Sequence, residues 1–224
     1  LVKLNETNAI QSLTRLFDTF ANQENGVDSN DAENFPTMLQ YWFVFSLIWS
    51  VAAGLTEESR KQVDTFLREL DGTFPNKDSI YEYWVDGKQF TWQNFEEKLE
   101  KSWRYSSSAP FYKIIVPTVD TVRYNLIVSS LLKNKNPVLL TGPVGTGKTS
   151  VAETVLENVS AEFNQLTINM SAQTTSNNVQ DIIEAKVEKR TKGVYVPVGG
   201  KNLICFLDDL NMPAKDTFGS QPPL

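Results

Sequence analysis

Residues 136–157 read NPVLLTGPVGTGKTSVAETVLE, and this stretch carries the strongest fold signal in the chain. Gly142, Gly147, Lys148 and Thr149 fit the spacing G-x-x-x-x-G-K-[ST]. Glycines at these positions let the backbone curl around a phosphate with its N–H groups pointing inward. Lys148 would then reach the β and γ phosphates, and Thr149 would present its hydroxyl to Mg²⁺ while opening a helix whose positive end favours the anion. The stretch therefore predicts a phosphate-binding loop.

The flanking residues supply the strand and the helix that such a loop requires. Val138 to Leu140 form an apolar run typical of a strand buried on both faces. After the loop, apolar residues recur at helical spacing and would pack on a sheet: Val151, Ala152, Val155, Leu156 and Val159. The alternative is a glycine turn between two core elements with a surface lysine.

An acidic pair follows a second apolar run. Leu203 to Leu207 predict a strand that ends at Asp208 and Asp209. Open α/β sheets bind ligands at the carboxyl ends of their strands, so we expect Asp208 to hold Mg²⁺ largely through water. Asp209 stands where a general base would polarise the attacking water. The alternative is a polar turn after a core strand.

Composition excludes several classes of function. The formal charge of the 224 residues is -6, which argues against nucleic acid or an anionic membrane as main partner. The one basic cluster is interpreted as a solvated helix face: Lys186, Lys189, Arg190 and Lys192. Without histidine, the chain offers no imidazole base and no histidine-ligated metal.

Cys205 cannot form an intrachain disulfide and is expected to fill the core, which fits a reducing compartment. No signal peptide is visible, and a chain that begins without Met and stops in FGSQPPL suggests a fragment.

The first half of the chain predicts mainly helices. Asn5 to Gln23 form one, with Asn25-Gly26 as its stop. No charge occurs between Glu33 and Glu57, so Met38 to Ala53 must be weighed as a membrane span. Such a helix would be only about 24 Å long against a hydrocarbon layer of about 30 Å, and its flanks are acidic; we therefore expect a helix buried in protein. The next helix starts after Thr56, ends at Gly72 and has an apolar stripe: Val63, Phe66, Leu67 and Leu70.

A hairpin and a linker follow. Ile80 to Trp92 predict two strands joined by a two-residue turn at Asp86-Gly87. A short helix is expected from Asn94 to Lys101, and residues 106–110 (SSSAP) form the clearest linker, so we place a domain boundary after residue 108.

The second half predicts alternating elements. Val119 to Leu132 is a helix, Leu166 to Met170 a strand, and Ser176 caps a helix closed by Gly193. That helix should turn its apolar residues inward: Val179, Ile182, Ile183 and Val187. YVPV and KNLI then predict a tight hairpin around Gly199-Gly200, with Pro197 at an edge.

Several stretches of the chain have a distinctive wording. They are IIVPTVDTVRYN, PVLLTGPVGTGKTS, NMSAQTTSNNVQ, EKRTKGVYVPVGGK and FLDDLNMPAKDTFGSQPPL, with WFVFSLIWSV, FLREL, FPNKDSIYEYWVD and KSWRY before them. Together they resemble the heavy chain of an axonemal dynein. The resemblance implies an α/β fold of the P-loop NTPase (AAA+) type: an incomplete three-layer large subdomain over residues 109–224, the start of the third module of a six-module ring. Residues 1–108 would be the mainly helical small subdomain, with its β-hairpin, that closes the preceding module.

The resemblance also implies roles for individual residues. ATP or ADP and Mg²⁺ would be held by the loop and the start of its helix: Gly142, Pro143, Val144, Gly145, Thr146, Gly147, Lys148, Thr149 and Ser150. Thr149 and Asp208 would be the metal-linked residues, and Lys148 and Asp209 the catalytic ones. Val116, Pro117 and Thr118 match the stretch that lines the adenine pocket in such modules.

For the whole protein, the resemblance implies a motor that couples ATP hydrolysis to microtubule sliding. It would act in the cytoplasm and cytoskeleton, in the axoneme of a cilium or flagellum. The partners implied are neighbouring AAA+ modules of the same heavy chain, dynein intermediate and light chains, and microtubules through other parts of the chain, with no nucleic acid and no membrane.

One position departs from the family pattern. AAA+ ATPases usually place Glu at the second acidic position, whereas this chain has Asp209, whose carboxylate is one methylene further from the water. Since a base must come within about 2.6 to 3.2 Å of the proton it takes, we expect slow hydrolysis at a regulatory site. Two alternatives stay open: a structural module that binds nucleotide without hydrolysing it, and an unrelated phosphate-loop kinase. The isolated 224 residues should show weak nucleotide affinity and negligible turnover.

Overall fold

A computed structural model describes residues 5–105, 110 and 114–215, which form two compact units. The first unit ends at Leu140 and the second begins at Thr141. The first unit contains four α-helices among its described residues, namely α1 (Glu6–Phe20), α2 (Phe35–Leu47), α3 (Glu57–Leu70) and α4 (Val119–Lys133), and one hairpin of β1 (Tyr83–Asp86) and β2 (Thr91–Asn94). Short 3₁₀ helices at Gln23–Asn25, Ile80–Glu82 and Phe95–Lys98 connect them.

Helix α2 is the centre of the first unit. It continues through a π-helical turn at Ile48–Ala52, so Phe35 to Ala52 form one run that is long and apolar enough to cross a membrane. In the structure, Met38, Phe45 and Ser46 have no exposed surface, because α1, the hairpin and the aromatic side chains around them cover the helix. The expectation of a helix buried in protein agrees with this packing, and the helix starts three residues earlier than expected.

The ends of helices α1 and α3 agree closely with those predicted from the sequence. Asn5 caps α1, Thr56 caps α3, and Gly26 adopts a left-handed φ of 82° after the first helix. The predicted stripe of α3 is wrong in part, because Leu67 is buried whereas Phe66 and Leu70 are 60% and 70% exposed. The contact face of α3 is narrower than its apolar spacing suggests.

The predicted hairpin is present, but its turn is longer than two residues. Asp86 pairs with Thr91, which leaves a four-residue loop. The Asp86 carboxylate accepts hydrogen bonds from the N–H groups of Lys88 and Gln89, and the N–H of Phe90 donates to the Asp86 carbonyl. Asp-Gly therefore begins a capped loop rather than forming the whole turn.

Helix α4 begins after a capping box. The Thr118 hydroxyl accepts from the N–H of Thr121, whose own hydroxyl accepts from the N–H of Thr118. The helix belongs to the first unit and packs on α1 and on the 3₁₀ helix that follows the hairpin. Residues 106–109 of the predicted linker at residues 106–110 lie outside the described residues.

The second unit contains α5 (Lys148–Glu157), α6 (Ser176–Glu184) and two pairs of strands among its described residues. β3 (Phe163–Asn169) and β6 (Asn202–Asp208) pair in parallel, with Asn169 opposite Asp208. β4 (Val187–Thr191) and β5 (Val194–Pro197) form an antiparallel hairpin. Both strands predicted around Leu166 and Leu203 are thus confirmed, and each is longer than expected.

The strand predicted at Val138 to Leu140 is not formed. These residues have no strand conformation, and Leu139 is 74% exposed. A strand is stabilised by ladder hydrogen bonds to a neighbour, and no described segment pairs with these residues. Apolar character alone was therefore an insufficient signal.

Four predictions between α6 and β6 are also wrong. Thr175, not Ser176, caps α6, and the helix ends at Glu184, so Val187 lies in β4 and Ile182 is 40% exposed. The basic residues lie on or beside the β4–β5 hairpin instead of a helix face, and the hairpin expected around Gly199-Gly200 does not exist. Those glycines connect β5 to β6, which pairs with β3 across a longer distance in sequence.

Candidate nucleotide-binding site

The glycine loop has the conformation that its sequence predicts. Gly145 and Gly147 have φ values of 81° and 79°, in the left-handed region that glycine adopts without strain. Gly147 is also the N-cap of α5, and no side chain caps the helix there. Since the first N–H groups of a helix have no partner within it, this end offers donors and a positive dipole to an anion.

The loop is further shaped by its own side chains. The Thr146 hydroxyl donates to the Pro143 carbonyl over 2.9 Å, and a Cβ added to Gly142 would lie 3.3 Å from that hydroxyl oxygen. Lys148 Nζ donates to the carbonyls of Gly142 and Pro143 over 3.0 and 2.8 Å. The ammonium group therefore lies directly against the bend of the loop, while Val144 at its tip is fully exposed.

Thr149 and Asp208 meet although they are 59 residues apart in sequence. The Thr149 hydroxyl lies 3.2 and 3.1 Å from the two carboxylate oxygens of Asp208 and donates to them. Asp208 is the last residue of β6, so the end of the strand delivers its carboxylate to the first turn of α5. The structure thus brings together the hydroxyl and the carboxylate that the sequence assigned to Mg²⁺.

The oxygen atoms at this point fit a magnesium ion in chemistry and number. A hydroxyl and a carboxylate are hard ligands, and Mg²⁺ usually keeps several waters while binding one or two protein groups. Within residues 5–105, 110 and 114–215, no group of three or more acidic, cysteine or histidine side chains is arranged so that it could hold a metal ion. Thr149 and Asp208 are therefore the residues of this site that would hold the ion, with the remaining positions filled by water and phosphate.

Asp209 lies in a tight turn after β6. Its φ is 53°, its N–H donates to the Asp208 carboxylate over 3.1 Å, and its carbonyl accepts from the N–H of Met212 over 2.9 Å. Aspartate tolerates the left-handed region better than most residues. Its own carboxylate is exposed and makes no hydrogen bond to the part of the chain that the structure describes.

Cys205 is exposed on β6, so the expectation that it fills the core is wrong. Cys205 lies opposite the buried Leu166 in the β3–β6 ladder, but the described residues leave its own side chain uncovered. Partial desolvation by its neighbours still raises the pKa of the Cys205 thiol.

The three residues expected at the adenine lie in the first unit. Val116 is 56% exposed, and Thr118 is the N-cap of α4. Val116 and Pro117 line a cavity of about 550 Å³ together with Leu99 and Trp103. Leu99 and Trp103 carry no signal in the sequence, because the segment after the hairpin predicts only a short helix and a linker.

Comparisons with known proteins agree with the resemblance found in the sequence. A family described as "P-loop containing dynein motor region" matches residues 103–224, and "Dynein heavy chain AAA lid domain" matches residues 1–97. Dynein axonemal heavy chain 2 of Homo sapiens is 64% identical over 225 residues, which cover 100% of this chain and 5% of the relative. The flagellar inner arm I1 dynein-1-beta heavy chain of Chlamydomonas reinhardtii is 39% identical over 255 residues, covering 100% of this chain and 6% of the relative.

The chain spans only 5% to 6% of the length of these relatives. Its fold is that of an AAA+ phosphate-loop module, so the alternative of an unrelated phosphate-loop kinase does not apply. This chain belongs to the dynein heavy chain family, of which it carries an AAA lid domain followed by a phosphate-loop motor region.

Proposed function

We propose that this chain binds ATP or ADP with Mg²⁺ and serves as one module of a ring-shaped motor ATPase. The observation that carries the proposal is the contact between the Thr149 hydroxyl and the Asp208 carboxylate, at the N-terminus of the helix that follows the glycine loop. This is the arrangement in which a phosphate-loop ATPase holds magnesium against the terminal phosphates. Residues Gly142 to Ser150 would hold the phosphates.

Each side chain of the site has a role that follows from its chemistry. Lys148 exchanges the carbonyls of Gly142 and Pro143 for phosphate oxygens, whose charge it offsets. Thr149 and Asp208 would hold the metal, which would neutralise charge that develops on the phosphates. Val116, Pro117 and Thr118 contact the base through apolar groups and backbone.

Asp209 is proposed to be a weak general base, which makes this a slow, regulatory site. A base must approach within about 2.6 to 3.2 Å of the proton that it takes. The aspartate side chain is one methylene shorter than the glutamate usual at this position, and the turn fixes its backbone at a φ of 53°. Hydrolysis would then be slow compared with binding.

Single-turnover hydrolysis tests this role in a purified full-length motor whose other phosphate loops are disabled by Lys→Ala substitution. Asp209→Glu should accelerate turnover by about tenfold, because proton transfer by a positioned base contributes about 10² to 10⁴ in rate. Asp209→Asn should lower the slow rate by less than about tenfold, because a weak base contributes little, whereas Lys148→Ala should remove nucleotide binding. If Asp209→Asn abolishes turnover as completely as Lys148→Ala does, Asp209 is a working base and the slow-site proposal fails.

The same assay separates hydrolysis from binding alone. A structural module would retain bound ATP without turnover, in the parent motor and in Asp209→Glu alike. Asp209 directly follows Asp208 and its carboxylate is exposed, which favours slow hydrolysis over that alternative, since a carboxylate can serve as the general base.

The whole protein is proposed to drive microtubule-based movement of a cilium or flagellum, in the axoneme. The supporting observation is the identity to relatives named as axonemal and flagellar dynein heavy chains. Neighbouring AAA+ modules of the same heavy chain would be its direct partners, with intermediate and light chains and microtubules contacted elsewhere. We place the boundary between the lid of the preceding module and the motor module after residue 108.

A further inference from the structure

The carbonyl of Pro143, in the bend of the glycine loop, accepts two hydrogen bonds from side chains of the loop itself. The Thr146 hydroxyl donates to it over 2.9 Å, and Lys148 Nζ donates to it over 2.8 Å. Lys148 Nζ also donates to the neighbouring carbonyl of Gly142 over 3.0 Å, and that carbonyl has no second donor among the described residues. The two carbonyls therefore differ in what they keep when the ammonium group moves away.

The missing side chain of Gly142 leaves room for this arrangement. A Cβ at Gly142 would lie 3.3 Å from the Thr146 hydroxyl oxygen and 3.9 Å from Cδ of Lys148. The first distance is shorter than ordinary van der Waals contact, which begins at 3.4 Å. A larger residue at this position would therefore press on the hydroxyl that donates to the Pro143 carbonyl.

The proposed function requires Lys148 to give up at least one of its two carbonyls. An ammonium group has three N–H donors, and the carbonyls of Gly142 and Pro143 already occupy two of them. Reaching oxygens of both the β and the γ phosphate takes two donors. When Lys148 exchanges its carbonyls for phosphate oxygens, the Pro143 carbonyl still accepts from Thr146, which is neutral and is not drawn to the phosphates by charge.

The hydrogen bond from Thr146 to Pro143 also closes a ring within the bend. It spans Val144 and the left-handed Gly145, so it restricts the backbone at the tip of the loop. The N–H groups of such a bend are the donors that a phosphate loop turns towards its anion. Holding the Pro143 carbonyl therefore helps to hold these donors in their direction.

We propose that Thr146 is a positioning residue whose hydroxyl keeps the Pro143 carbonyl in place after Lys148 has left it for the phosphates. This inference deepens the proposed function and rests on it. The Thr146 hydroxyl does not bind the phosphates; it preserves the bend whose N–H groups do. Its contribution should thus appear in the nucleotide-bound state and not in the free state, where Lys148 also holds the carbonyl.

Equilibrium binding to a purified full-length heavy chain tests the proposal, with its other phosphate loops disabled by Lys→Ala substitution. Thr146→Val keeps the branched shape but removes the donor, so the affinities for ATP and for inorganic triphosphate should both fall about fivefold, the net contribution of one hydrogen bond. Thr146→Ser restores the donor and should bind both ligands within about twofold of the unmodified motor. Thr154→Val is the matched control, because it removes a hydroxyl that donates over 2.8 Å to the Ser150 carbonyl within α5; it should leave both affinities unchanged.

A second readout separates this role from a general loss of structure. Lys148 is labelled with an amine-reactive ester in the nucleotide-free motor, and the rate of its labelling is followed by mass spectrometry. Thr146→Val should be labelled at the same rate as the unmodified motor, since Lys148 retains both carbonyls there. A loop that opens or unfolds without the hydroxyl would expose the ammonium group and raise this rate.

Three outcomes would contradict the inference alone. They are a Thr146→Val motor that binds triphosphate as tightly as the unmodified one, a Thr146→Ser motor as weak as Thr146→Val, and faster labelling of Lys148 in nucleotide-free Thr146→Val. If the unmodified motor binds neither ATP nor triphosphate at this loop, the proposed function itself is wrong.

Discussion

Replacing Gly87 with alanine should destabilise the first unit, because an added Cβ would clash with the backbone of Asn25. A Cβ at Gly87 would lie 2.3 Å from the carbonyl carbon and oxygen of Asn25, where ordinary contacts begin at 3.4 Å. Asn25 cannot retreat freely, since its carbonyl accepts a 3.0 Å hydrogen bond from Trp42 Nε1 and its side chain donates to the Phe20 carbonyl. Relieving the clash therefore requires moving two backbone segments by about 1 Å.

The expected loss combines two contributions. Overpacking a well-packed site costs about 1 to 3 kcal/mol, and stretching the hydrogen bond of a buried indole adds about 1 kcal/mol or more. The free energy of unfolding should fall by about 3 kcal/mol, which lowers the melting temperature by about 10 °C in a unit of this size. Gly72→Ala is the matched control, because its Cβ would meet nothing within 4 Å; it should change stability by less than about 1 kcal/mol.

Tryptophan emission during guanidinium unfolding of the 224-residue chain measures this difference. All five tryptophans lie before residue 104, so the signal reports on the first unit and not on the second. A Gly87→Ala midpoint that coincides with that of Gly72→Ala would show that the two chain segments do not approach as closely as the structure describes.

Three further predictions concern α3, the metal-linked hydroxyl and the acidic loop before α2. In the same unfolding assay, Leu67→Ala should cost about 2 to 5 kcal/mol because Leu67 is buried, whereas Leu70→Ala should cost under about 1 kcal/mol; equal losses would mean that both side chains are packed. Thr149→Val keeps the shape of the side chain but removes the hydroxyl that meets the last carboxylate of β6, so Mg²⁺-dependent nucleotide affinity should fall about tenfold; binding with an unchanged Mg²⁺ requirement would contradict its role. The side-chain amide and backbone N–H of Asn34 hold the pKa of Asp31 below its ordinary value. The Asp31 carboxylate therefore stabilises the fold at pH values above its unfolded pKa, and this stabilisation is lost as the pH falls through its folded pKa. Titration by NMR should find a lowered pKa that rises in Asn34→Ala, and an unchanged pKa in that variant would refute the assignment.

The sequence predicted best those features that depend on neighbours within one turn. The bounds of α1 and α3 could be predicted from their capping residues and the helical periodicity of their apolar residues. The glycine loop could be predicted because its glycines have a fixed spacing and occupy left-handed backbone conformations that other residues rarely adopt. The end of β6 could also be predicted, because a pair of carboxylates interrupts an apolar run. The contact between Asp208 and Thr149 could then be expected, because both side chains would have to reach the same magnesium ion.

The failures concern features that depend on distant partners. Val138 to Leu140 have the composition of a strand, but no ladder forms there among the described residues. Gly199-Gly200 has the composition of a hairpin turn between β5 and β6. Instead, β6 pairs with β3, whose residues lie about 40 positions earlier in the sequence. The exposure of single side chains was equally hard to predict. Phe66 and Cys205 lie within apolar patterns that predict burial, but whether a neighbouring element covers them depends on the tertiary structure.

The uncharged helix α2 also has a consequence for the newly made protein. During synthesis on the ribosome, residues 34–56 emerge before α3, the hairpin and α4, which later cover them. For that interval an uncharged segment with the hydropathy of a membrane span is open to the insertion machinery, to chaperones and to other nascent chains. Variants that slow the closure of the hairpin over α2 should therefore reduce the yield of heavy chain in cells before any defect in motility is measurable.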